Sequence, residues 1–87
     1  MHEASLIADV LRQITAIMRQ QGTGRVVGVT VKLGALSHIS PAHFRAHFVY
    51  GTRGTIAEGA RLTLEIGHDP GDPHAQAVVL DSLEVEE

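Results

Sequence analysis

The sequence predicts an α+β fold, a two-layer sandwich with two helices packed on one face of a small mixed three-stranded sheet. Three observations carry that expectation. Apolar residues repeat at helical spacing between residues 5 and 21, β-branched residues alternate between 25 and 33, and the later segments read as helix, strand and strand. A strand, a helix and a second strand in succession favour a parallel pair with a right-handed crossover. The short connection before the last strand favours an antiparallel return.

From Ser5 to Gln21 the residues Leu6, Ile7, Val10, Leu11, Ile14, Ile17 and Met18 recur at steps that place them on one helical face. Ser5 is the expected N-cap, Asp9 suits the positive end of the helix dipole, and Gly22 can close the helix in a left-handed conformation. Residues 25 to 33 put Val27, Val29, Val31 and Leu33 on one side, with Gly28, Thr30 and Lys32 on the other. That alternation means a strand covered on one face. Ser40-Pro41 supplies a cap and a first helical residue, Phe44 and Phe48 form an i, i+4 apolar pair, and the second helix should run from Pro41 to Tyr50.

Gly51 to Ala60 reads as a loop, and Leu62, Leu64 and Ile66 alternate with Arg61, Thr63 and Glu65 to give a second strand. Two prolines and several turn formers make Gly67 to His74 an exposed connection. In the final segment, Ala77 to Glu86, Val78 and Leu80 hold one phase while Leu83 and Val85 hold the other. A β-bulge near Asp81 and Ser82 would reconcile them. Thr30, Lys32, Thr63, Glu65 and Glu84 should lie on the wet face of the sheet.

Composition limits the function. Eighty-seven residues make one domain, and 44% hydrophobic residues with a net charge of −3 suffice for a core. Seven basic residues against ten acidic ones offer no row of cations for phosphates, so no nucleic-acid partner is expected. No apolar stretch is long enough to span a bilayer, and Met1-His2-Glu3 is not the opening of a secretory signal, so a cytoplasmic chain without a membrane partner is expected. Cysteine is absent, which removes disulfides, thiolate metal sites and thiol nucleophiles. Paired acids, a phosphate-binding glycine loop and an activated nucleophile are all hard to assemble, so the chain does not read as an enzyme.

Histidine stands out, with six in the chain. His2 sits one residue from the Met1 α-amine, and the initiator Met is expected to remain before so large a neighbour. The amine, the His2 backbone nitrogen and Nδ1 can close adjacent chelate rings around one ion, with Glu3 adding a backbone nitrogen or a carboxylate. A nitrogen-rich, near-planar set suits Ni²⁺ or Cu²⁺. Because the ligands must shed protons, affinity should rise with pH. The competing view is a frayed terminus whose histidine does nothing.

Met1-His2-Glu3-Ala4-Ser5-Leu6 resembles the opening of the HypA/HybF family, nickel-insertion accessory factors for [NiFe]-hydrogenase and, in some organisms, urease. Leu33-Gly34-Ala35-Leu36-Ser37, Pro41, Phe44-Arg45, Phe48 and Thr52 to Ala60 are similar to its later blocks in the same order, and Ser82 to Glu86 to its closing strand. The resemblance implies that Met1, His2 and Glu3 bind Ni(II), that a HypB-like GTPase is a partner, and that the hydrogenase large subunit receives the metal. It also implies two helices on a small mixed sheet.

The chain departs from that pattern where the family carries a zinc module with paired Cys-x-x-Cys motifs between the last two strands. Here a short, cysteine-free loop at 67–76 takes its place, so residues 1–87 read as a single HypA-like nickel-binding domain without structural zinc. Ala35 stands where the family usually has glutamate, and His43 and His47 where it usually lacks histidine. His43 and His47 are four apart on a helix and could face one ion, but they flank the Phe44 and Phe48 stripe and read first as ordinary helix positions. His38 could approach His2, and His68 and His74 could add a second site in the replacement loop, although the plainer reading is loop residues. Two functions remain: a nickel carrier, or an adaptor that binds hydrogenase or a maturation factor without carrying metal. Either a monomer or a homodimer is compatible with a partly wet sheet and an exposed edge strand.

Overall fold

The computed structural model describes residues 3–87 as five elements: α1 (Glu3–Gln21), β1 (Arg25–Leu33), α2 (Pro41–Gly51), β2 (Arg61–Ile66) and β3 (Val78–Glu86). The sheet order is β2-β1-β3, with β1 parallel to β2 and antiparallel to β3. This is the expected α+β sandwich with its mixed three-stranded sheet. The central strand is the one with the most apolar alternation, because only it is paired on both edges.

Helix α1 begins at Glu3, so Ser5 lies inside the helix and is not its cap. Ile7, Val10, Ile14 and Met18 are buried, Leu11 is half-buried, and Ile17 is 43% exposed. The expected apolar stripe is therefore narrower than its seven residues. Ile17 lies on the flank of α1 away from Leu11, and that flank is the uncovered one. Gly22 ends the helix at φ 88, with its N–H donating to the Met18 carbonyl at 2.9 Å. A residue with a Cβ would be strained there.

Two bulges set which residues of the β1–β3 pair reach the core. Thr30 opposes Ser82 and Val31 opposes Leu80, so Asp81 is the extra residue on β3. That is the bulge the sequence required, and it brings Val78, Leu80, Leu83 and Val85 onto the core side despite their change of phase. The second bulge was not anticipated. Val26 opposes Val85 and Gly28 opposes Glu84, which leaves Val27 unpaired on β1. Beyond it the alternation flips, so Val26 is buried and Val27, expected in the core, is only half-buried.

Phe44 and Phe48 of α2 are fully buried against Val29, Val31, Leu33 and Leu62 and the α1 stripe, each contributing about 1.5–3 kcal/mol by removal from water. The 52–60 segment is not a plain loop. Thr52 is buried, and its backbone N–H and Oγ1 both donate to the Phe48 carbonyl, at 3.0 and 2.8 Å, closing α2. Ala57 joins the core, and the Ile56 carbonyl accepts from Val26 N–H at 3.2 Å.

The other face of the sheet is polar, as expected: Lys32, Thr63, Glu65 and Glu84 are exposed and Thr30 half-exposed. Arg61 and Glu84 both sit opposite Gly28 and meet over it in an ion pair of 2.5 Å, which raises the Arg61 pKa through the hydrogen bond to Glu84. Lys32 pairs with Asp81 of the bulge at 3.4 Å. None of the described helices is long and apolar enough to cross a membrane.

Candidate metal site

Of the expected nickel ligands, Met1 and His2 lie outside the described residues, and Glu3 is the first residue of α1. The surroundings of that helix start follow from the topology. Only three residues join α1 to β1, so α1 runs back along the sheet antiparallel to β1. The parallel β1–β2 crossover makes α2 do the same. Both helices therefore begin toward the sheet end where β1 finishes at Leu33, β2 finishes at Ile66 and β3 starts at Val78. The 34–40 and 67–77 connections belong to that same end. His38, His43, His68 and His74 are gathered there with His47 one helical turn further in, and all five are exposed.

Helix α2 is set by local chemistry at both ends. Ser40 Oγ accepts from the His43 N–H at 3.3 Å, and Pro41 occupies the first turn. Just before it, His38 holds φ 57, which turns the chain from the sheet into the helix. On one flank of the buried Phe44 and Phe48 stripe, Arg45 Nη1 donates to the Leu62 carbonyl of edge strand β2 at 2.8 Å. On the opposite flank, at roughly 100° per residue, fall His43 and His47. Gly51, between that flank and the stripe, faces α1: a Cβ there would sit 3.3 Å from Leu11 Cδ1 and 3.5 Å from Ile7 Cγ2. The histidine flank of α2 is therefore the α1 side.

The 67–77 connection is docked, not merely exposed. Gly34 N–H donates to the Ala77 carbonyl at 2.9 Å and Leu36 N–H to the Ala75 carbonyl at 2.7 Å, while Ala75 is buried. Gly34 permits this because the Ala75 backbone occupies the space a side chain would need. Sequence reasoning missed the docking; small residues at 34, 75 and 77 were its available signal. Between loop and sheet lies a cleft of about 440 Å³ lined by Lys32, Glu65, His68, Asp69, Asp72 and His74, among others. Its aspartates are engaged in turns, Asp69 Oδ1 accepting from Gly71 N–H at 2.9 Å and Asp72 Oδ1 from His74 N–H at 2.7 Å. Among the described residues no three His, Asp or Glu side chains converge as a metal site. His68 and His74 thus do not assemble one with the loop acids.

Residues 1–70 match a protein family described as hydrogenase/urease nickel incorporation, metallochaperone, HypA. A hydrogenase maturation factor HypA of Methylocella silvestris is 47% identical over 66 residues, covering 76% of this chain and 58% of that protein. The corresponding factor of Acidithiobacillus ferrooxidans is 39% identical over 74% of this chain and 57% of its own length. That of Archaeoglobus fulgidus is 32% identical over 76% and 60%. The matched segment spans somewhat under two thirds of each of these relatives. The family match ends at residue 70, within the turn-rich 67–77 connection, so β3 lies outside it.

Proposed function

Because the chain belongs to the HypA family, we propose that it is a nickel carrier for [NiFe]-hydrogenase maturation, binding Ni(II) at Met1, His2 and Glu3 and passing it to a partner. The observation that carries this reading is the family match itself, which takes in the amino-terminal segment along with α1, β1, α2 and β2. Where Met1 is the mature terminus, the α-amine, the backbone nitrogens and the His2 imidazole make a compact nitrogen set suited to Ni(II). Such a set is incomplete, so an acceptor's ligands can enter before the carrier's leave. That is what transfer by ligand exchange needs, and a site closed by rigid ligands would hold the ion. A HypB-like GTPase and the hydrogenase large subunit are the partners this reading names. No catalytic step is assigned to the chain.

A second reading is favoured by the absence of cysteine. Without thiolates the zinc module cannot exist, and a chain that kept the fold while losing that module could serve as an adaptor between maturation proteins. Calorimetric titration of Ni²⁺ separates the two. The carrier reading expects stoichiometric binding by the chain ending natively at Met1, and loss of that site in His2→Ala and in a chain whose Met1 α-amine is acetylated. Equal binding by all three chains, or none by the native one, rejects the terminal site.

A further inference from the structure

Strand β3 is hydrogen-bonded along one edge only, because the sheet order is β2-β1-β3 and, among the described residues, no strand lies beyond it. The bulge at Asp81 interrupts that outer edge, and from Ser82 to Glu86 no further extra residue falls on β3. Open backbone N–H and C=O groups along such a run form a template for one more strand. The opposite edge is less available: β2 has six residues against nine in β3, and Arg45 Nη1 already donates to the Leu62 carbonyl. Val78, Leu80, Leu83 and Val85 of β3 pack toward the core, yet all four stay half-buried. The core is therefore incompletely covered on the β3 side.

Helix α1 supplies a second wall beside that edge. It packs against β3, and its Leu11 side is turned to α2 at Gly51. At roughly 100° per residue, Leu6, Gln13, Ile17 and Gln20 fall on the flank away from α2, where Ile17 is 43% exposed and Leu6 half-buried. The end of the helix is level with the end of β3, since a Cβ on Gly24 would sit 2.9 Å from Val85 Cγ1 and 3.0 Å from the Glu86 carbonyl oxygen. Ile17 is four residues, about 6 Å, before the last helical residue, and Glu84 is two residues, about 7 Å, before the last strand residue. Ile17 thus stands level with the Ser82 to Glu86 run that holds Leu83 and Val85.

We infer that the outer edge of β3 accepts an extended segment of a partner protein as a fourth strand, one in which apolar residues alternate with lysine or arginine. Alternation follows from the pleat. Every second side chain of an added strand points to the helix layer, where Ile17, Leu83 and Val85 offer apolar surface, and the others point to the polar face. That face carries Asp81, Glu84 and Glu86 on β3, all exposed. Lys32 and Arg61 pair with the first two from the β1 and β2 side, which leaves the side toward an added strand acidic. Arg12 and Arg19 fall on the α2 side of α1, so neither opposes a basic segment. A second copy of the chain fits less well. Pairing β3 with its own copy sets acid against acid, and because α1 lies over β3 it brings two helices to about one strand spacing, ~4.8 Å, where packed helices need about 8–10 Å. Neither the edge nor its charge depends on nickel.

The test titrates the full chain into a fluorescent peptide as long as β3 that alternates valine with arginine, read by anisotropy, and follows backbone amides by hydrogen exchange. The peptide should bind at one equivalent, and the β3 amides that point away from β1 should gain protection while those of β2 do not. A peptide alternating valine with glutamate, and the arginine peptide N-methylated along its backbone, should each bind at least about ten-fold more weakly. Ile17→Ser and the double variant Glu84→Gln/Glu86→Gln should each lower affinity about three- to ten-fold, and both replace exposed side chains, so circular dichroism should show the parent fold. Absence of binding by the arginine peptide overturns the proposal, as does equal binding of the glutamate or N-methylated peptide. Protection that appears on β2 instead of β3 overturns it too. So does a concentration-dependent dimer whose outward β3 amides are already protected without peptide, since a second copy would then hold the edge.

Discussion

Replacing Gly34 by alanine tests whether the short loop is part of the folded unit. A Cβ at Gly34 would lie 2.1 Å from the Ala75 carbonyl oxygen, 2.4 Å from its carbon and 2.5 Å from the His74 carbonyl oxygen. All three are backbone atoms, so relief requires the loop to retreat by roughly 1 Å. That retreat breaks the bonds from Gly34 N–H to Ala77 and from Leu36 N–H to Ala75, each worth about 1 kcal/mol. It also returns the Ala75 methyl to water, worth a further ~0.8 kcal/mol. Alanine restricts the unfolded chain and recovers about 0.4–1 kcal/mol, leaving a net loss of about 2 kcal/mol. In a domain of this size that lowers Tm by about 10 °C. Gly28→Ala is the matched control. Its Cβ meets the flexible ends of Arg61 and Glu84 at 3.0 Å, so the side chains can swing away and stability should stay within about 0.5 kcal/mol of the parent. The assay is chemical and thermal unfolding of both variants, with hydrogen exchange at the amides of residue 34 and Leu36, the two donors of the docking bonds. If Gly34→Ala unfolds with the parent and both amides stay protected, the docking argument is refuted.

Phe44→Ala removes a fully buried ring from between the helices and the sheet and should cost about 3–5 kcal/mol by chemical denaturation, enough to leave much of so small a domain unfolded. A loss under about 1 kcal/mol would mean that α2 does not seat as described. Ser40→Ala removes the acceptor for the His43 N–H and should cost about 1 kcal/mol, read in the same way, with Ser40→Asn recovering most of it. No recovery with asparagine would show that the 3.3 Å contact is not a working cap.

Much of this protein was legible in local periodicity. Steps of three and four residues marked α1, the Phe44 and Phe48 pair marked α2, and the phase change between Leu80 and Leu83 required the bulge found at Asp81. The proposed amino-terminal chelate rests on the sequence alone, since it depends on covalent adjacency and not on folding. The tertiary structure alone decided features set by neighbours distant in sequence. Val26 displaced Val27 from the core because a bulge arises from the match between two strands, which neither strand encodes alone. Ile17 is exposed because a helical stripe is buried only where another element covers it. The docked loop depends on Gly34 meeting Ala75 across 41 positions, and the flank of α2 bearing His43 and His47 is defined only once Arg45 reaches β2 and Gly51 meets α1. Spacing along one chain identifies which side chains share a face; packing against the rest of the chain determines what that face meets.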